Sequence, residues 1–207
     1  MTLYTVLKKL LTWLFNIVYN LRVHDAEKVP DTGSYLVVSN HISMGDVIIL
    51  AVSCKRQIYY MAKRELFKIP LLAQLLRALG AFPVDRRGSA LTALKTAVKR
   101  LEEGKIVGLF PQGTRQKNKS VLDTEFKTGA AFCSFKGNAG IIPAYIKTGG
   151  QSFRIFKRCD VYFGDPIEFD TLPFTEGGGD EYRAVPEQIK SAVYALEEKA
   201  YGGKYNG

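Results

Sequence analysis

The sequence predicts an α/β fold, a β-sheet covered on its faces by helices and preceded by an amphipathic N-terminal helix. Three observations lead there. Short apolar runs rich in β-branched residues, YLVVS at Tyr35–Ser39 and IVGLF at 106–110, read as buried strands. Longer stretches with apolar residues at three- and four-residue steps, such as 91–103, read as helices. The two kinds of segment alternate along a chain of 207 residues, a length suited to one domain, and such alternation packs as a helix-covered sheet. With 46% hydrophobic residues and no low-complexity tract or internal repeat, the chain is neither disordered nor fibrous.

Taken in order, the N-terminal segment comes first. Leu3, Val6, Leu7, Leu10, Leu11, Leu14, Ile17, Val18 and Leu21 recur at helical spacing, with Lys8 and Lys9 beside that face. Trp13, Phe15 and Tyr19 add side chains that favour a membrane–water boundary. Asn16 and Asn20 interrupt the run, and no window reaches the ~20 apolar residues of a spanning helix. A secretory signal peptide would need a pair of small residues for cleavage, which 19–24 does not offer. The helix therefore either lies in a membrane interface or docks on the body of its own protein, and its aromatics favour the interface.

Downstream, Tyr35–Ser39 is a strand, 47–54 a helix, and 71–79 a second helix ending at Gly80. An amphipathic helix at 91–103 closes at Gly104. Strands follow at 106–110 and at 140–146 around Pro143, with an additional short one at 161–163. The EGGGD run at 176–180 reads as a flexible connection, and Pro186 as the opening of a last helix to about residue 200. The expected organisation is a membrane-interface helix at 1–22, one α/β domain at 23–201 and a frayed tail at 202–207.

Charge and cysteine narrow the class of partner. Twenty-nine Lys and Arg against twenty Asp and Glu leave +9, which favours an anionic partner: nucleic acid, anionic lipid headgroups or a phosphorylated small substrate. Cys54, Cys133 and Cys159 are an odd number at wide spacing with no CxxC. That is neither a disulfide framework nor a zinc site, and it fits a reducing compartment.

Of the two histidines, nothing singles out His24. His41 follows directly on the YLVVS strand, in NHISMGD at 40–46. In open α/β sheets, ligands collect just past the carboxyl ends of strands, and an imidazole with a pKa of about 6.5 suits a general base at neutral pH. Asp46 lies five residues on, about 140° away around a continuous helix. The two meet only if His41 lies in the turn and Asp46 in the first helical turn, as when Ser43 caps the helix with Asp46 at N3. Ser-x-x-Asp is also a capping box in its own right. On spacing alone, Asp46 either supports His41 or only closes a helix end.

Three further segments carry candidate chemistry. GAFPVDRR at 80–87, with Lys63 upstream in MAKRE, is a Gly/Pro turn ending in arginines that can present a planar fork to phosphate. FPQGTR at 110–115 leaves the IVGLF strand as a Pro/Gly loop able to turn backbone N–H groups toward an oxyanion or phosphate, with Arg115 adding charge. For both, the plain alternative is a tight turn with surface arginines. IIPA at 141–144 is too apolar to react and suits the lining of a pocket.

The order and content of these four segments resemble the glycerolipid acyltransferase family of 1-acylglycerol-3-phosphate acyltransferases. That family shows NHxxxxD, GxxPVDR, FPEGTR and an IxPxA-type strand, in this order. The likeness covers roughly 37–169 and includes MAKREL, the FKTGAA stretch near Lys127 and FGDPI near Gly164. Position 112 departs from the pattern: Gln stands where the family has Glu, a carboxylate thought to help hold the acceptor glycerol. Gln112 keeps the hydrogen-bonding reach and loses the charge, which bears on the acceptor more than on the reaction class.

The resemblance implies a glycerol-3-phosphate acyltransferase-like α/β fold with a single mixed β-sheet. It also implies transfer of a fatty acyl group from acyl-CoA or acyl carrier protein, as co-substrate, to the sn-2 hydroxyl of lysophosphatidic acid, giving phosphatidic acid. His41 would be the base and Asp46 its support. Lys63, Arg86 and Arg115 would hold the acceptor phosphate, and Gln112, Gly113 and Thr114 would form the acceptor or oxyanion loop. No cofactor or metal is required, and no nucleic acid is expected as partner. Acceptor and product live in a bilayer, so an anionic phospholipid membrane is the expected partner, at the cytoplasmic face of the cell membrane with peripheral or monotopic attachment. Rival readings are acylation of glycerol 3-phosphate or another lysophospholipid, a non-catalytic basic module binding anionic membrane or nucleic acid, and a hydrolase with Cys133 or Ser43 as nucleophile.

Overall fold

Among the described residues seven strands hydrogen-bond into one mixed sheet, and its strand order determines which loops become neighbours. The computed structural model describes residues 3–84, 90–117, 119–148, 156–177 and 179–202. In chain order the elements are α1 (Leu3–Tyr19), β1 (Leu21–His24), β2 (Tyr35–Ser39), α2 (Asp46–Ser53), β3 (Ile58–Lys63), α3 (Pro70–Ala78) and β4 (Ala81–Val84). There follow α4 (Ala90–Glu102), β5 (Ile106–Leu109), α5 (Gly129–Gly137), β6 (Gly140–Thr148), β7 (Cys159–Phe163) and α6 (Gly179–Ala200). The sheet order is β1-β7-β6-β2-β5-β3-β4. β6, β2, β5, β3 and β4 run parallel, while β7 is antiparallel to β6 and parallel to β1. The single mixed sheet flanked by helices, with a helix ahead of it, is the expected fold.

The apolar runs become buried strands because both faces of the sheet are covered. Along β2, Leu36 and Val38 join the cluster under α4, α5 and α6, which includes Leu101, Ala131, Ile189 and Val193. Val37 points the other way, to a cluster with Ile49 and Leu50 of α2 and Ile106 and Ile142 of the neighbouring strands. Each such side chain, wholly removed from water, stabilises the fold by roughly 1.5–3 kcal/mol.

Several elements differ from the sequence reading. α1 stops at Tyr19, where Asn20 turns to φ +42, and Leu21 starts the edge strand β1 instead of continuing a helical face. β3 and β4 occupy segments read as a lysine-bearing stretch and a Gly/Pro turn. β4 is four residues long with Pro83 in it, and it is tolerated because β4 is an edge strand paired only to β3. α5, with glycine at both ends and no polar face, carries no amphipathic signal and was not assigned from sequence. α6 begins at Gly179, so Pro186 lies inside the helix and not at its start, and 179–180 are helical, not connecting. Ahead of Pro186, Tyr182 packs among the rings of Phe132, Phe135 and Phe174, which holds the added turns in place. The expected frayed tail falls mostly on 203–207, outside the described residues.

α1 answers both readings of its sequence, one on each face. Leu11, Phe15 and Tyr19 pack on the α2 side of the core, and Lys8 Nζ donates to the carbonyl of Lys55 at 3.2 Å. Opposite them Val6, Leu10, Trp13, Leu14 and Ile17 remain exposed, Trp13 at 61%. Among the described residues, no helix is long and apolar enough to cross a membrane.

Candidate active site

The carboxyl ends of β2, β5, β3 and β4, adjacent in the sheet, bring 40–46, 110–115 and Lys63 to one edge, while the charged end of the 80–87 segment lies outside the described residues. At the end of β2, buried Asn40 extends the pairing with β6 through its side chain. Its Nδ2 donates to Ile146 O at 3.0 Å, and Ile146 N donates to its Oδ1 at 2.8 Å. The chain then leaves the sheet, and His41 is the first residue out.

His41 Nδ1 lies 2.7 Å from Asp46 Oδ2. The same oxygen accepts the N–H groups of Ile42 at 2.6 Å and Ser43 at 2.8 Å. An oxygen that takes two N–H donors acts as acceptor toward the ring as well, so Nδ1 carries a proton and, in the neutral imidazole, Nε2 is the nitrogen with the lone pair. Asp46 is fully buried and His41 retains 19% side-chain exposure. The two roles open in the sequence are therefore combined in Asp46, which holds the turn and the imidazole together. The expected cap by Ser43 does not form: α2 starts at Asp46 with Gly45 as N-cap, and Ser43 Oγ accepts instead from Gly45 N at 3.3 Å. The turn is too tight for a longer cap because Asp46 N–H already reaches Ser43 O.

The imidazole stacks on Phe110, ring centroids 4.2 Å apart, and Phe110 in turn stacks toward Tyr60 at 6.4 Å. Gly108 makes room for Tyr60, since a Cβ there would stand 2.0 Å from Tyr60 Cε1. Beside this stack opens a cavity of about 600 Å³. Its wall is apolar, with Val47, Met61, Val84, Leu94 and Leu109, and His41 lies on its lining. Burial pushes the Tyr60 phenol well above its usual range, so this wall carries no charge from it. Residues 141–144, expected to line a pocket, do not border this cavity. Ile141, Ile142 and Ala144 are fully buried in the core, because β6 is a central strand.

The loop after β5 holds the main chain of His41 from both sides. Gln112 Oε1 accepts His41 N–H at 2.7 Å, and Gln116 N–H donates to His41 O at 2.7 Å. Gln112 is 5% exposed, and it does not line the cavity. Gly113, at φ +71, does line it, but its N–H closes the turn on Phe110 O at 3.0 Å and so is already engaged. Thr114 is exposed, and its hydroxyl accepts from Gln116 Nε2 at 3.2 Å.

The expected cations are distributed less compactly than the motifs suggest. Lys63 is exposed at the end of β3, opposite Val84 in register, and Arg115 is exposed on the loop; neither borders the cavity. Arg86 lies outside the described residues. Lys127, quoted in FKTGAA but given no role, borders the cavity together with Thr128, Gly129 and Ala130 of the α5 start. Gly113 lets it lie close, since a Cβ there would stand 3.1 Å from Lys127 Cε and Nζ. The orphan N–H groups of that helix start add partial positive charge beside the ammonium. The signal that could have found Lys127 is its place just before a helix start opposite the FPQGTR loop, and only the fold reveals that placement.

The alternative nucleophiles are disfavoured by their surroundings. Burial pushes the Cys133 thiol up to about 12, and Ser43 is engaged in the turn below His41. A second pair, His24 Nε2 to Asp160 Oδ1 at 2.8 Å, forms between β1 and β7. There Arg158 grips the same carboxylate at 2.7 and 2.6 Å and Tyr162 stacks on the ring at 4.3 Å, away from the cavity. It is a structural pair at the sheet edge.

A histidine steadied by a buried carboxylate, on the lining of an apolar cavity that a lysine also borders, suits an enzyme that takes a proton from a hydroxyl beside a long apolar group. Comparison with known proteins places it. The acyltransferase family model matches residues 20–147, and the chain belongs to that family. It is 32% identical over 185 residues to the 1-acyl-sn-glycerol-3-phosphate acyltransferase of Bacillus subtilis, covering 86% of this chain and 89% of the relative. To the Streptococcus pneumoniae enzyme of the same name it is 29% identical, over 95% of this chain and 74% of that one. The crystal structure of the 1-acyl-sn-glycerophosphate acyltransferase from Thermotoga maritima matches with a TM-score of 0.66 at 26% identity, covering 92% of this chain and 76% of that one. This protein is an acyltransferase.

Proposed function

We propose that the protein transfers a fatty acyl group from an acyl thioester, acyl-CoA or acyl carrier protein, to the sn-2 hydroxyl of 1-acylglycerol-3-phosphate, giving phosphatidic acid. One observation carries the reading: the 2.7 Å His41–Asp46 contact, on a histidine lining an apolar cavity. His41 Nε2 takes the hydroxyl proton as the oxygen attacks the thioester carbonyl, and Asp46 stabilises the imidazolium. As the C–S bond breaks, the proton passes from Nε2 to the departing sulfur. The acceptor hydroxyl is itself the nucleophile, so no acyl-enzyme forms.

The apolar cavity suits an acyl chain. Lys127 and the start of α5 supply positive charge for a phosphate at the cavity, with Lys63 and Arg115 farther out on the same sheet edge drawing in an anionic substrate, and Arg86 keeps the phosphate-binding role that its motif implies. α1 (Leu3–Tyr19) serves as the interface helix, and the sheet with its flanking helices, from β1 onward, as the transferase domain. The exposed apolar face of α1 and the +9 charge suit a bilayer with anionic lipid, where each nearby Lys or Arg adds ~1 kcal/mol. These features support peripheral or monotopic attachment, which we assign to the cytoplasmic face because the soluble donor is found there.

The test is acyl transfer by purified protein with both donors, offering 1-acylglycerol-3-phosphate, glycerol 3-phosphate and a neutral lysophospholipid in parallel. Phosphatidic acid should form from the first acceptor. Turnover of only one of the other two would reassign the acceptor, and none with any would sink the reading.

A further inference from the structure

The family pattern places a carboxylate at 112, and the hydrogen bonds around Gln112 explain why an amide works in this chain. Gln112 Nε2 donates to Thr124 Oγ1 at 3.0 Å while Gln112 Oε1 accepts from His41 N. The Thr124 hydroxyl already gives its proton to Val121 O at 2.8 Å, so toward Gln112 its oxygen is an acceptor only. A carboxylate at 112 would have no proton for that oxygen. The hydroxyl would then have to swing away from Val121 O. Both side chains are 5% exposed, so water offers no easy replacement.

The turn that carries Thr124 is itself anchored. Glu197 of α6, 1% exposed, accepts Ser120 Oγ at 2.8 Å and Val121 N at 2.9 Å through one oxygen, and Tyr145 Oη at 3.1 Å through the other. A buried path of hydrogen bonds thus runs from α6 through the 120–124 turn and Gln112 to the backbone of His41. We propose that Gln112 and Thr124 are a matched positioning pair that fixes the main chain of His41, and that Gln112 does not contact the acceptor. Neither residue borders the cavity, so their effect passes through the placement of His41. The inference rests on His41 as the base. Small displacements of such a group lower turnover steeply, by as much as ~10²-fold for 1 Å.

Steady-state kinetics of Gln112→Glu, Thr124→Val and Thr124→Ser test this. The first two should lower kcat by about tenfold or more and leave the acceptor KM within about twofold, while Thr124→Ser keeps the hydroxyl and stays near wild type. An acceptor KM raised about tenfold with kcat unchanged in Gln112→Glu would make it a substrate contact and overturn the proposal. If Thr124→Val does not fold, Gln112→Glu decides alone by the same split. A second readout is independent of any substrate. With histidine labelled by nitrogen-15, the His41 amide resonance should move in Gln112→Glu and Thr124→Val and hold in Thr124→Ser, with His24 as internal reference. An unmoved His41 amide in Gln112→Glu overturns the pair even if the acceptor proves to be another molecule.

Discussion

Asp46 Oδ2 binds His41 Nδ1 and, at the same time, the N–H groups of Ile42 and Ser43, so one oxygen both builds the turn and orients the imidazole. Asp46→Asn should separate the two jobs. An amide oxygen can still accept one N–H and cap the turn, with a stability loss of about 0.5–2 kcal/mol. Turnover should fall by ~10²–10⁴-fold, as for His41→Ala. Because the two act as a unit, the double variant should be about as slow as either single one. Additive losses in kcat would show that Asp46 acts independently of the imidazole.

Gly108 is needed for the ring behind the His41–Phe110 stack. Gly108→Ala places a methyl group 2.0 Å from Tyr60 Cε1, on a central strand that cannot move aside. Overpacking of this kind costs about 1–3 kcal/mol, readable in urea unfolding. Replacing Tyr60 by leucine in the same chain should restore much of the loss, whereas an unperturbed midpoint in the single variant contradicts the packing described.

The two faces of α1 predict two kinds of damage. Trp13→Glu, on the exposed face, should reduce flotation with anionic vesicles by more than about tenfold and leave the melting temperature unchanged. Deletion of 1–21 should also lower the melting temperature, since Leu11, Phe15 and Tyr19 leave the core with it. Full vesicle binding by Trp13→Glu would reassign the exposed face.

Glu181 ties the connection before α6 to the helix. Thr175, through its hydroxyl and N–H, and the N–H groups of Glu176 and Gly177 hold the Glu181 carboxyl down at about 2, against an ordinary 4.5. A carboxyl lowered by folding adds stability that is fully present above pH 4.5 and lost as pH falls toward about 2. Glu181→Gln should therefore lose stability at neutral pH and show a shallower decline through that window. A titration midpoint for Glu181 near 4.5, followed by NMR, would remove the contribution.

The legible parts of the fold were those with a local signal. Tyr35–Ser39 and 106–110 read as strands because parallel strands buried on both faces are uniformly apolar, and α4 reads as a helix because one of its faces is wet. β1 and β4, four residues each at the sheet edges, have too little pattern to stand out, and Pro83 argues against a strand until its edge position is known. α5 hides for a different reason: nine residues with glycine at each end, and only Ser134 and Lys136 polar, give no amphipathic period. Pro186 misplaced the start of α6 because a proline marks a helix start only when no tertiary packing extends the helix beyond it.

The chemistry divides along the same line. Residue order along the chain determined the His41–Asp46 pair and the motif set, because the two lie within one turn and local backbone geometry decides whether they meet. The strand order decided the rest, since contacts across 70 or more residues depend on which strands become neighbours. It set Gln112 against the main chain of His41 rather than in the cavity, put Lys127 on the cavity rim while Lys63 and Arg115 stayed outside it, and buried 141–144 in the core. Side-chain type sets what a group can do. Burial and the direction of its hydrogen bonds, which arise only when distant segments pack, set what it does.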